Sequence, residues 1–220
     1  RGYGTFPHPN VLAAFLFVSL FFLYYLWLKD KIHYSLFAGI FGVLFFALFL
    51  TFSRTIISVF LSVSLLYFIL LFKKFRQKII YLFLLITFYS LLVTALAWPE
   101  ISSRFSISLT DQAIDLRAFY NQKALLIIKD HPFWGIGLGN FVWQLKQISE
   151  PWALWLFQPV HNIYLLIASE TGLIGLGVFL LFIAGILMSL RGTNFSITIT
   201  SLLFIVFSFL FVGLFDHFFW

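Results

Sequence analysis

Six apolar runs, each long enough to cross a bilayer, govern what this chain can become. They lie at roughly 11–28, 36–53, 55–72, 79–97, 163–187 and 195–215, and a spanning helix needs about 17–25 apolar residues. Lipid offers no water to exposed amides and carbonyls, so such runs must satisfy their own backbone and fold as helices. The second and third runs form one stretch broken only by Ser53-Arg54. As a single helix it would extend about 55 Å at ~1.5 Å per residue, against a hydrocarbon core of about 30 Å. A tight hairpin at Thr51–Thr55 is therefore predicted, although no Gly or Pro marks the turn. Composition agrees with lipid as solvent. The chain is 62% apolar and 10% charged, where a soluble domain is about half apolar and a quarter charged. Its 32 Phe residues exceed what a water-facing surface can hide. Without cysteine there is no disulfide framework and no thiolate metal site. The +6 net charge fits basic loops at a membrane surface rather than a nucleic-acid partner. The reading is an all-α integral membrane protein with about six transmembrane helices. Starting at Arg1 and stopping at Phe218-Phe219-Trp220, it reads as a fragment of a longer protein.

Short basic loops set orientation. Lys73-Lys74-Phe75-Arg76-Gln77-Lys78 is the strongest signal, with Lys29 and Lys31 in a second loop and Arg191 in a third. Alternation puts all three on one side, which the positive-inside rule makes cytoplasmic. The chain then divides into residues 1–97, with four spans and an outer N-terminal segment, an extracytoplasmic loop at 98–160, and 161–220 with two spans. Every acidic residue except Asp30, and every histidine except His33, falls on or near the outer face.

The outer loop is too long for a simple connection. Ser108-Leu109-Thr110-Asp111 has the form of a capping box, and His131-Pro132 should end the helix that it starts. On a wheel of 100° per residue over 111–130, Arg117 sits at the centre of the apolar side, with Asn121 one turn on. Both should point into protein or membrane interface, where a guanidinium is costly unless paired or binding an anion; snorkelling to headgroups is the alternative. Asp115 should face water. Next comes His131-Pro132-Phe133-Trp134-Gly135-Ile136-Gly137-Leu138-Gly139-Asn140. Gly135 and Gly137 either turn amides toward a phosphate or only form a tight turn. Trp143, Trp152, Trp155 and Phe157 suit an interfacial aromatic belt.

Five further residues lie at or inside span ends. Asn162 is an N-cap candidate for the fifth span, and a helix N-terminus favours the neutral His161 that a general base requires. Glu170 lies about two turns deeper, and an intramembrane acid is a functional candidate by default; pairing with Arg54 is the structural alternative. His8 and Asn10 open the first span and read equally as caps.

In this order, Arg1–Asn10, Ser53-Arg54, Arg117, the His131–Gly137 segment, His161-Asn162-Ile163-Tyr164-Leu165 and Glu170-Thr171-Gly172 resemble the O-antigen ligase and O-antigen polymerase family. The resemblance implies a bacterial inner-membrane glycosyltransferase whose active face is extracytoplasmic. Its donor would be an undecaprenyl-diphosphate-linked glycan and its acceptor a hydroxyl on a glycan or glycolipid. It also implies an arginine pair on the diphosphate, here Arg54 and Arg117, and a loop histidine as base, here His161. It further implies that no metal or cofactor takes part and that transfer inverts the anomeric centre. Asn121, Gly135, Gly137, Asn162, Glu170, His8 and Asn10 are the accompanying candidates for substrate binding. Family members usually carry about twice as many spans and often a longer outer loop. The runner-up is a transporter of a small anion such as bicarbonate; no inverted repeat with broken helices supports it.

Overall fold

The computed structural model describes residues 4–6, 8–99, 102, 112–148, 157–189 and 196–216. The expected capping box at 108–111, Trp152, Trp155 and Arg191 lie outside the described residues. Those described are helical, with no strand among them. The helices are α1 (Pro9–Leu28), α2 (Tyr34–Leu50), α3 (Arg54–Leu96), α4 (Gln112–Asp130), α5 (Phe141–Ile148), α6 (Ile163–Ser189) and α7 (Ile197–Val212). Three of them, α1, α3 and α6, are long and apolar enough to cross a membrane; α2 and α7 are shorter apolar helices. The chain forms two compact units. One comprises residues 1–107 and 194–209, the other 108–193 and 210–220.

In the first unit, α1 opens with Pro9, whose fixed φ suits a first helical turn. His8 caps it, with Nδ1 accepting the Asn10 amide at 3.2 Å. The expected turn between α2 and α3 is present at Thr51–Ser53. It is made without glycine: Phe52 adopts φ +51, and Thr51 Oγ1 accepts the Ser53 amide at 3.2 Å.

The basic segment at 73–78 was expected to be a loop. It is instead the bend of α3, where only Phe75 leaves helical geometry, at φ −130 and ψ 34. The segment has no Gly or Pro to break it, and Lys, Arg and Gln are good helix formers. The chain still reverses there. The Phe45 ring lies 6.0 Å from that of Phe60 and 6.4 Å from that of Tyr89. A straight helix would hold Phe60 and Tyr89 about 43 Å apart, so the two limbs of α3 run back beside each other.

The limbs enclose an aromatic core. Phe21 meets Phe60 and Tyr67 edge-on, Tyr24 stacks on Phe41, and Trp27 stacks on Phe37; all are buried. Lipid tails are as apolar as these rings, so close packing and ring geometry, rather than escape from water, hold the helices together. Gly42 makes room for Tyr89, whose hydroxyl would lie 2.4 Å from any Cβ there and which donates to the Ala38 carbonyl at 3.2 Å. Tyr67 and Ser201 bind α3 to α7 through a 2.7 Å hydroxyl pair.

This packing brings the two basic segments together. Lys78 pairs with the Asp30 carboxylate, donates to the Trp27 carbonyl at 3.0 Å and lies over the Trp27 ring. Lys29 and Lys31 flank that same turn. Successive α1–α3 contacts, Phe17 to Phe60 and then Tyr24 to Tyr67, run parallel. His8 and Arg54, at the N-termini of these parallel helices, therefore share the end of the unit opposite the lysines.

In the second unit, α4 ends at Asp130, directly before His131-Pro132 as expected. Tyr120, Ala124 and Ile127 of α4 pack with Phe141 and Leu145 of α5, Val160, and Leu166 of α6.

Candidate active site

The site is built where α6 begins. Asn162 caps the helix as expected, its Oδ1 accepting the amides of Tyr164 at 3.0 Å and Leu165 at 3.1 Å. The Ile163 amide donates to the Gly213 carbonyl at 2.8 Å, and the Tyr164 hydroxyl donates to the Leu210 carbonyl at 2.6 Å. These bonds hold the start of α6 against the end of α7. Beyond α7 the chain makes one further helix-like turn, with the Asp216 amide on the Val212 carbonyl at 3.1 Å, and this sets Asp216 beside His161.

The outcome is a histidine–carboxylate pair. His161 Nδ1 lies 3.8 Å from Asp216 Oδ1, with the carboxylate 9% and the imidazole 21% exposed. The separation is longer than a direct hydrogen bond but within ion-pair range. Tyr120 borders the pair, its ring 6.2 Å from the imidazole, and burial pushes its phenol above the usual range, so the hydroxyl stays protonated. Such an arrangement directs Nδ1 to the carboxylate and leaves Nε2 for a reacting proton. The Asp216 partnership was missed in the sequence. The available signal was topological: Asp216 closes the last apolar run on the face where His161 opens the fifth.

Two turns further along α6 the glycine segment docks. Helix α6 is broken at Gly172, whose φ of +72 and ψ of −179 belong to glycine. The Ile136 amide donates to the Ser169 carbonyl at 3.0 Å, Gly137 to that of Glu170 at 2.8 Å, and the Leu173 amide to that of Pro132 at 2.7 Å. A Cβ at Gly172 would lie 2.0 Å from the Phe133 carbonyl oxygen, and one at Gly135 would lie 2.5 Å from that of Glu170. The Glu170 carboxylate, 3% exposed, accepts the amides of Gly139 at 2.9 Å and Phe141 at 3.2 Å. It thereby caps the start of α5. Of the two readings of the glycines, this is the tight turn: the Gly135 amide bonds the His131 carbonyl at 3.2 Å, and that of Gly137 is taken by α6.

Arg117 requires a correction. It was expected at the centre of the apolar side of α4, pointing into protein or membrane interface; its side chain is exposed, so it is not buried in protein. The buried stripe follows Tyr120, Ala124 and Ile127, centred to one side of Arg117 on the wheel. The apolar arc of α4 is wider than its packed stripe, as the exposed Leu125 shows. Asn121 is half-buried, and Asp115 faces outward as expected. In the first unit, Arg54 is exposed in the first turn of α3. No group of three or more His, Asp or Glu residues is arranged to hold a metal among the described residues.

The family model described as O-antigen ligase matches residues 39–180. This stretch runs from α2 through the hairpin of α3, the glycine segment and His161 to beyond the break in α6. The chain belongs to the O-antigen ligase family. No curated protein matches it. As an O-antigen ligase family member it has the expected all-helical, membrane-type architecture and a ligase- or polymerase-like role in handling membrane glycans.

Proposed function

We propose that this chain transfers or polymerises a glycan from an undecaprenyl-diphosphate-linked donor onto an acceptor hydroxyl, at the outer face of a bacterial inner membrane that it crosses six times. The observation that carries the reading is the His161–Asp216 pair at the capped start of α6. His161 Nε2 takes the proton of the acceptor hydroxyl as its oxygen attacks the anomeric carbon. The bond from that carbon to the diphosphate oxygen breaks, and undecaprenyl diphosphate leaves with the electron pair. One displacement inverts the anomeric centre. Asp216 holds the imidazole and stabilises the imidazolium that forms. Arg54 and Arg117 bind the diphosphate, for which a guanidinium fork is better matched than an ammonium. Glu170, Gly135 and Gly137 hold the scaffold on which His161 stands. Asn162 does the same as the helix cap.

The test is reconstitution. Full-length protein in proteoliposomes, given lipid-linked donor extracted from the host, should release undecaprenyl diphosphate in step with glycan reaching the acceptor. Uptake of bicarbonate by the same vesicles without glycan transfer would replace the transferase reading with the transporter.

A further inference from the structure

The lysine end of the first unit carries more positive charge than its own acids can neutralise. Asp30 is the one acidic residue in the sequence from 1 to 99, and Lys78 takes it. That pair joins the turn after α1 to the bend of α3. Lys29, Lys31, Lys73, Lys74 and Arg76 each lie within five residues of one of its members. All five are exposed, and none forms an ion pair among the described residues. Like charges held together in this way repel, and the repulsion falls when anions gather at them.

From the same turn a groove opens along α2, lined by Ser35, Leu36, Gly39, Ile40, Val43 and Leu44. A Cβ at Gly39 would meet nothing within 4 Å, so the missing side chain leaves the hollow open. The walls are apolar and uncovered, with Leu36 56% and Val43 71% exposed. The mouth is polar: a 2.9 Å hydrogen bond joins His33 Nδ1 and Ser35 Oγ, and Lys31 lies two residues before His33. Residues 35–44 extend about 14 Å at ~1.5 Å per residue, close to one leaflet of a hydrocarbon core of about 30 Å.

We propose that this end of the first unit binds an anionic phospholipid, with its phosphate on Lys29 and Lys31 and one acyl chain in the groove of α2. Lys73, Lys74 and Arg76 add to the field that draws the headgroup in. The inference rests on the membrane reading of the chain and is independent of the transfer chemistry. Clustered Lys and Arg at the end of membrane helices attract anionic headgroups, and each ammonium meets the phosphate as a point charge. Charge alone would hold any soluble anion. The apolar groove that continues from the basic mouth selects an anion carrying a hydrocarbon chain, and its length suits a lipid of the leaflet at that end.

Native mass spectrometry of the delipidated full-length protein, titrated with phosphatidylglycerol or phosphatidylcholine, reads the affinity of the first lipid bound. Phosphatidylglycerol should bind at least about fivefold more tightly. The double variant Lys29→Gln, Lys31→Gln should erase that preference. Gly39→Leu, which fills the groove, should weaken both lipids severalfold and leave the preference in place. The two lysines are exposed and Gly39 faces open space, so both variants should unfold at the wild-type temperature when no lipid is added. Equal affinity for the two lipids in the wild type, or an unchanged preference in the lysine variant, would overturn the headgroup site. Unchanged binding in Gly39→Leu would overturn the groove and mean that other parts of the protein cover it or that the chain lies elsewhere. Displacement of phosphatidylglycerol by an equal concentration of glycerol phosphate would make the ligand a soluble phosphate and overturn the lipid as occupant. None of these results depends on glycan transfer, so failure here leaves the proposed chemistry untouched.

Discussion

Glu170 holds Gly139 through a 2.9 Å bond from the glycine amide to the buried carboxylate, while its other oxygen takes the Phe141 amide at 3.2 Å. A helix residue thus caps a second helix across a loop. Removing the acceptor leaves two donors without their partner, and a buried unsatisfied polar group costs about 1–3 kcal/mol. Glu170→Ala is expected to lower stability by about 2–3 kcal/mol, and Glu170→Gln, which keeps one acceptor, by less. Thermal unfolding in detergent measures both. Equal loss in the two variants would mean that the side chain's bulk, not its oxygens, matters.

The glycine contacts give a second expectation. Gly172→Ala must place a Cβ 2.0 Å from the Phe133 carbonyl oxygen, in a backbone region that costs a non-glycine residue on the order of 1–3 kcal/mol. The loop should detach, and limited proteolysis should cut near residues 133–139 faster than in the wild type. Gly139→Ala also meets a positive φ, +74, but nothing lies within 4 Å, so it should be markedly milder. Equal protection of Gly172→Ala and wild type would contradict the docking.

Topology yields a third. Gln77 and Gln147 are both exposed, the first at the lysine end of the first unit. In intact cells an impermeant thiol reagent should label Gln147→Cys and spare Gln77→Cys. The reverse pattern would invert the assignment of faces.

How much of this was legible follows from what kind of signal each feature leaves. Apolar run length and the Ser53-Arg54 break gave the α2–α3 turn, because lipid thickness limits a helix. The bend at Phe75 was expected as a loop, since a run of Lys and Arg marks a membrane boundary but does not break a helix. The cap by Asn162 is local chemistry and was readable. The exposure of Arg117 was not, because a wheel shows which arc is apolar but not which part of that arc is packed. Asp216 beside His161 depends on contacts between α6 and α7 far apart in sequence. Glycine density announced a special backbone at 135–139, but that its partner is the break in α6 needed coordinates.

For the arginines, charge and shape separate. Lysine keeps the charge but loses the two-pronged match to phosphate oxygens. Arg117→Lys and Arg54→Lys should each slow transfer nearly as much as the alanine variants, on the order of 10²-fold for about 3 kcal/mol of lost transition-state stabilisation. EDTA should leave the wild-type rate unchanged. Full activity in Arg117→Lys, or a rate lost to EDTA and restored by Mg²⁺ or Mn²⁺, would count against the arginine site.

The most direct measurement of the central claim is single-turnover transfer by full-length protein in proteoliposomes, comparing wild type, His161→Ala and Asp216→Asn with donor binding followed in parallel. General-base catalysis contributes about 10²–10⁴-fold. His161→Ala should therefore lose at least about 10²-fold in rate while still binding the lipid-linked donor. Asp216→Asn should lose rate by a smaller factor at unchanged donor affinity, because it orients the base rather than accepting the proton. Near wild-type transfer by His161→Ala would contradict the account and move the base to another residue.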